Sequence, residues 1–298
     1  MVHLGSLGVC SLTLEVAIPD TALIDCSDLR QKTVKMGLLG RAFAVFKVDG
    51  IWLYRTGKLP QKQLRDVELI MGLLRYMDTP QYLRKRMFPK LPMLKYTGIL
   101  PPLRTRSHPL GEALKPIAEG DSRWGIQVRT GKIDVGLDQL VDFSENISER
   151  EPTLFRIAKV QPRIKLEIIQ HAEMGKYWGW EIKRTNSISE ELEKMSQKTR
   201  IAFSRNGVDY YRIEHEIRST ISGTKAVIAL FGGPKRGISE LVANEQSLLK
   251  RHVDYWVNTI PDQGTETVRL EEALLVSLGI LNNSVGALLT KPGYHRNF

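Results

Sequence analysis

The chain has only two cysteines, Cys10 and Cys26, in 298 residues. That is too few for a disulfide framework or a zinc site, so no metal is expected. No apolar run approaches the roughly 20 residues that a membrane span needs. The first ten residues hold neither Lys nor Arg, so the basic start of a signal peptide is missing. These absences lead to an expected location in the cytoplasm, with no membrane attachment. Internal repeats and low-complexity tracts are missing as well. So are the G-x-x-x-x-G-K-[ST] and G-x-G-x-x-G phosphate loops.

Positive charge is present in excess, and it is unevenly placed. The net charge is +10. Residues 1–50 balance five Lys/Arg against five Asp/Glu, and residues 107–298 hold 26 against 25. Residues 51–106 hold twelve against three, so nearly all the excess falls there. It centres on Arg84, Lys85 and Arg86 and ends at Arg104 and Arg106. With few acids interleaved, this cluster has the footprint of a polyanion-binding face.

The hydrophobic pattern gives an α/β protein. Leu12–Ile18 alternates as a strand; Ser27 is placed to cap a helix from Asp28 to about Phe46; Val48–Tyr54 turns into a second strand. Strand, helix and strand in this order predict a parallel sheet. Amphipathic helices follow at Leu64–Met77 and from Thr79-Pro80 to about Arg86. Prolines 89, 92, 101, 102 and 109 then mark a linker. Short strands at 124–129, 132–135, 155–160, 165–169 and 178–182 suggest a small β-barrel. The α/β pattern returns with a helix near 189–198, strands at 199–203 and 226–231, a helix at 239–249, a strand at 253–257 and a last helix from Val268 to Leu281. The expected organisation is one α/β domain, 1–104 with 178–298, split by an inserted barrel over 105–177.

Two loops carry the chemistry. Phe231-Gly-Gly-Pro-Lys-Arg-Gly237 follows an apolar strand, and its glycines remove side chains where backbone could approach a ligand. Lys235 and Arg236 add charge suited to a phosphate. Asn258-Thr-Ile-Pro-Asp-Gln-Gly-Thr-Glu-Thr-Val-Arg-Leu-Glu-Glu-Ala273 follows a second strand and opens a helix. Thr267 is a candidate N-cap there, with Glu271 and Glu272 at the positive helix end. Paired loops of this kind can hold one flat ligand between them. His215 lies between two glutamates, as in a solvated stretch. Trp124, Trp178 and Trp180 are expected in the core, and Tyr210-Tyr211 in the core or at a dimer contact.

The Asn258–Ala273 segment resembles the last cofactor motif of the SPOUT (trefoil-knot) RNA methyltransferases. It is most similar to the archaeal and eukaryotic branch with an inserted OB-like barrel, assigned to ribosomal-RNA uridine-N3 methylation. Phe231–Gly237 falls on that family's middle motif. Arg41, Ala42, Ala44 and Phe46 meet the Arg-Ala-x-Ala-x-Phe end of its first helix. The resemblance implies an α/β knot with a parallel sheet and a C-terminal trefoil knot, a homodimer, and S-adenosyl-L-methionine as methyl donor. It lays that cofactor against the backbone of Leu230, Phe231, Gly232 and Gly233, of Asn258, Thr259 and Ile260, and of Gln263, Gly264, Thr267 and Val268. Thr265 and Glu266 stand where relatives often carry a small and a basic residue.

The function implied is methylation of a uridine at N3, in large-subunit (23S) ribosomal RNA. N3 lies on the Watson–Crick edge and must be unpaired to be reached. Arg41 and Arg236 are candidates to stabilise the imide anion, and Glu272 to accept the proton. Arg84, Lys85, Arg86, Arg104, Arg106, Lys235 and Arg269 are the candidate RNA contacts. Two other readings fit the same residues: a non-catalytic RNA-binding or ribosome-assembly factor, and a 2′-O-ribose or transfer-RNA methyltransferase.

Overall fold

The computed structural model describes residues 12–108, 117–149, 151–170 and 177–289. Cys10 and Pro109 lie outside them. The chain forms two compact units, one of residues up to Met71 and from Trp180 onward, the other Gly72–Gly179.

The first unit is built on a six-stranded sheet. Its strands are β1 (Thr13–Pro19), β2 (Gly50–Tyr54), β8 (Glu181–Thr185), β9 (Lys198–Asp209), β10 (Ala226–Phe231) and β11 (Tyr255–Asn258). The order is β11-β9-β10-β1-β2-β8, and every pair is parallel. The expected parallel α/β sheet is therefore present. Strand β10, Ala-Val-Ile-Ala-Leu-Phe, is buried along its whole length. A central parallel strand is covered on both faces, and this explains its unbroken apolar run. Its core partners include Ala17, Tyr54, Ala202 and Ile238.

Helix α1 (Leu29–Val45) begins one residue later than expected. Asp28, not Ser27, accepts from the N–H of Gln31 at 2.9 Å. Gln31 Oε1 in turn accepts from the N–H and Oγ–H of Ser27. The expected apolar face of α1 is also redrawn. Val34 and Leu38 are 46% and 53% exposed, whereas Lys32 and Lys35 are buried. Distant carboxylates account for this: Lys32 Nζ lies 2.6 Å from Asp66, and Lys35 Nζ 2.8 Å from Asp25.

Several boundaries also shift. Pattern reading gave no helix between β9 and β10, yet α5 occupies Tyr210–Ser222, burying Tyr210, Ile217 and Ile221. Helix 239–249 is broken into α6 (Ile238–Leu241), a 3₁₀ turn (Ala243–Glu245) and α7 (Gln246–His252). Strand 178–182 is β8, which joins the parallel sheet beside β2. Strand 253–257 starts later, because Asp254 is drawn out to bind Arg200 by its backbone N–H at 2.8 Å and its guanidinium at 2.6 Å. Among the described residues no helix is long and apolar enough to cross a membrane.

In the second unit β3 (Ser122–Arg129), β4 (Lys132–Asp134), β5 (Val141–Asp142), β6 (Thr153–Lys159) and β7 (Lys165–Ile168) form an antiparallel sheet in the order β5-β4-β3-β6-β7. Its edge strands β5 and β7 touch, so the sheet curls. Phe143 and Phe155 meet edge to face at 5.1 Å in its core, with Ile133, Val135 and Ile157 around them. The tryptophans behave as core: Trp178 is buried and packs near Trp124, and Trp180, in the first unit, is buried against Phe43.

Helix α2 (Gln61–Asp78) ends in the second unit. The carbonyl of Met77 takes two donors there: Arg84 Nη2 at 3.2 Å and His108 Nε2 at 2.7 Å. His108 Nδ1 lies 2.7 Å from the hydroxyl of Thr105. Burial pushes the His108 imidazole down from 6.5 to about 4. An unfolded chain binds a proton there at pH 5 and the folded protein does not, so this contribution is complete above pH 6.5 and lost as pH falls toward 4. Its full size is about 3 kcal/mol. In urea unfolding, the stability difference between wild type and His108→Gln should shrink from pH 7 to pH 4.5; a constant difference would show that His108 does not titrate in this range.

Candidate active site

In a sheet whose strands all run one way, the loops after β1, β10 and β11 share one edge, where α/β folds bind ligands. After β10 the chain makes a tight turn closed by the N–H of Gly233 donating to Arg236 O at 2.9 Å. The carbonyl of Phe231 is occupied by the buried hydroxyl of Tyr54 at 2.8 Å. A β-carbon at Gly232 would sit 2.8 Å from the nitrogen of Ile238 and 2.9 Å from Gly237 Cα. Gly232 is thus demanded by the turn's own packing.

The loop after β11 is held by its own side chains. Asn258 Oδ1 accepts from the N–H of Ile260 at 2.9 Å, and its Nδ2 donates to Arg205 O at 3.2 Å. Gln263 Nε2 donates to the carbonyls of Thr265 and Glu266, and Thr265 Oγ1 to that of Thr267. Thr259 and Ser277 share a hydroxyl–hydroxyl bond of 2.7 Å. Gly264 is exposed, and a β-carbon there would meet nothing within 4 Å. The main chain at Gly264 is open to a ligand.

Helix α8 (Leu270–Leu289) starts later than a Thr267 cap implies. The N–H of Arg269 donates to Glu272 Oε2 at 2.9 Å, so Glu272 caps its own helix. This is the reciprocal half of a capping box.

A pocket of about 760 Å³ joins α1 to both loops. Asp25, Cys26, Arg30, Gln31, Val34, Lys35 and Leu38 form one wall; Pro234 and Lys235 come from the β10 loop, and Thr267, Arg269 and Glu271 from the β11 loop and α8. Lys35 is 4% exposed at its side chain, with Nζ 2.8 Å from both Asp25 oxygens and 3.1 Å from Glu271 Oε2. A buried ammonium is costly unless paired, and here two carboxylates compensate it. Arg30, Lys235 and Arg269 are exposed around the same space. Burial, with Asp25 beside it, pushes the Cys26 thiol up to about 11, so it stays protonated and is a poor nucleophile. The pocket can hold an anionic group at its cations, a flat apolar face against Val34 and Leu38, and a hydrogen-bond donor at its carboxylates.

Of the residues expected from sequence, Lys235, Thr267 and Arg269 line this pocket. Arg41 is half-buried farther along α1, outside the lining, and Arg236 is exposed on the β10 turn. Asn258 ends β11, Thr259, Ile260, Gln263, Gly264 and Val268 lie in the loop after it, and Leu230 is buried in β10. The basic cluster belongs to the second unit. Arg84 spends its guanidinium on the carbonyls of Met77 and Thr79 and lies 4.6 Å over the Tyr76 ring. Arg86 pairs with Asp134 at 2.5 Å. Lys85, Arg104 and Arg106 are exposed, and Arg104 has a left-handed backbone, φ 52°. Sequence reasoning missed Asp25, Arg30, Lys35 and Glu271 as a group. The one signal was lysine at 32 and 35, on a helix otherwise read as packing the core.

Residues 13–281 match the family described as "Putative RNA methyltransferase". An uncharacterized protein of Halobacterium salinarum is 29% identical over 91% of this chain and 99% of its own. The 28S rRNA (uridine-N(3))-methyltransferase of Drosophila melanogaster is 25% identical, over 92% of this chain and 62% of that one. The human protein of the same name is 26% identical, over 90% and 77%. A solved structure, the SpoU Methyltransferase AviRb from Streptomyces viridochromogenes, aligns at TM-score 0.36 and 8% identity over 93% of this chain and 62% of that one, too slight a likeness to carry an argument. The family match takes in both sheets and the pocket, and the chain belongs to that family of RNA methyltransferases.

Proposed function

We propose that the protein methylates N3 of a uridine in large-subunit ribosomal RNA, using S-adenosyl-L-methionine. The observation that carries this reading is the meeting of the β10 loop, the β11 loop and α1 around one basic pocket. The names of the Drosophila and human relatives support the choice of uridine N3. The cofactor supplies an electrophilic methyl group. The open main chain at Gly264 fits a flat adenosyl group, held by backbone N–H and C=O groups, with the tight β10 turn at Gly232-Gly233 as the neighbouring wall. In this reading the C-terminal segment forms the trefoil knot, and the barrel expected over 105–177 is an OB-like element that grips RNA. The protein works in the cytoplasm as a homodimer, with exposed Leu275 and Val276 on α8 facing the second copy.

Arg41 and Arg236 act electrostatically. A guanidinium keeps its proton, so from outside the pocket lining it stabilises a neighbouring phosphate or, at longer range, the developing imide anion, and it is no base. Lys85, Arg104 and Arg106 hold the RNA backbone. Arg84, engaged at the end of α2, contributes mainly to folding.

Mass analysis of ribosomal-RNA nucleosides, with and without the gene, tests the whole reading: 3-methyluridine should disappear on deletion. Unchanged 3-methyluridine with loss of a 2′-O-methyl nucleotide would place the chemistry on the ribose. Calorimetry should find about one cofactor site per chain at micromolar affinity, as is usual for such pockets. Gly264→Val should weaken that binding, and unchanged affinity removes Gly264 from the site. Arg41→Ala should leave cofactor affinity intact while slowing methylation roughly 10²-fold, the scale of one lost charge-stabilising donor. A normal rate assigns Arg41 to structure. Neutralising Lys85 and Arg104 together should lower the salt slope of RNA affinity by up to about two units, near 0.9 per contact on a duplex and less on a single strand. Equal slopes would mean that these cations only face solvent.

A further inference from the structure

Resting on the reading above, the geometry points to the α1 pocket as the seat of the target nucleotide, with Glu271 as the group that accepts the uracil N3–H. The neighbouring glutamate, Glu272, is turned away to cap its helix through Arg269 N–H. Glu271 lines the pocket and keeps 14% side-chain exposure. Its inner oxygen, Oε2, is buried 3.1 Å from Lys35 Nζ and makes no hydrogen bond. With Oε2 held in the ion pair, Oε1 is assigned to a donor entering from the pocket. Consecutive residues on a helix differ in direction by about 100°, so only one of the two glutamates can serve this space.

The rest of the pocket matches a nucleotide. A volume of about 760 Å³ lies within the usual range for small-ligand sites. Arg30, Lys235 and Arg269 are the cations for a 5′-phosphate, and Val34 and Leu38 give an apolar wall for the face of the base. A carboxylate opposite N3 is selective. Uracil presents N3–H, whereas cytosine presents a lone pair that the carboxylate repels and leaves unsatisfied. For the reaction, the N3–H bond breaks with its electron pair left on nitrogen. The proton passes to Glu271 Oε1 and later to water. Lys35 is a positioning residue: it ties Glu271 on α8 to Asp25 ahead of α1.

The test uses the full chain without cofactor, titrated with uridine 5′-monophosphate and cytidine 5′-monophosphate and followed by NMR. The wild type should prefer the uridine nucleotide by about tenfold or more, the worth of one hydrogen bond to a charged group. Glu271→Gln, close in shape, should erase the preference while keeping phosphate-driven binding. Arg269→Ala should weaken both nucleotides alike and leave their ratio unchanged. Equal affinities in the wild type, a preference that survives Glu271→Gln, or no binding of either nucleotide would overturn the assignment. Nucleoside analysis of the RNA tests the reaction separately. Uridine selectivity without 3-methyluridine formation would sink the proposed function and leave the pocket standing.

Discussion

Six strands pointing one way leave the site no choice of place. Each strand of the first unit delivers its following loop to the same edge, and β10, fully buried between β9 and β1, sets the level at which those loops begin. Tyr54 and Phe231 show how tightly that level is fixed: a buried hydroxyl on one strand end is spent on the carbonyl of another. Gly232 exists because the β10 turn folds back too closely for a side chain. The open position lies opposite, at Gly264. Of two glycine-bearing loops that look equivalent in sequence, one is closed by its own packing and the other presents bare main chain.

Lys35 is the second constraint. An ammonium that is almost wholly buried persists only because Asp25 and Glu271 meet it from two separate segments. Removing Lys35 would bring two carboxylates together without compensation. The ion cluster therefore couples the loop ahead of α1 to the start of α8, and the shape of the pocket depends on that coupling.

Much of this was legible in the sequence, for reasons that differ by element. β1 and β10 were readable because alternation and continuous apolar runs follow directly from half and full burial. The two loops were readable because glycine and proline mark turns locally. Helix α5 escaped because Glu214, His215 and Glu216 hid the spacing of Tyr210, Ile217 and Ile221. In sequence β8 reads as a barrel strand, since its partner β2 lies far upstream. The lysines at 32 and 35 on a core-facing helix hint at burial, but what decides it is Asp66, Asp25 and Glu271, none of them in that helix. Glu272 was a reasonable choice by residue type, but the cap that occupies it is a matter of a single turn's geometry.

The sheet order also bears on how the protein is made. β1 leaves the ribosome early, yet one of its two neighbours is β10, and Lys198 reaches Glu15 across 183 positions. β1 and β2 can pair soon after synthesis, and the second unit can fold around its own core while the rest of the chain is still being produced. Until β10 emerges, β1 offers an unpaired apolar edge of the kind that recruits other chains. Parallel pairing over such separations is slow to form. The long interval between β1 and β10 leaves that edge open for most of synthesis, and the pocket is among the last parts of the molecule to form.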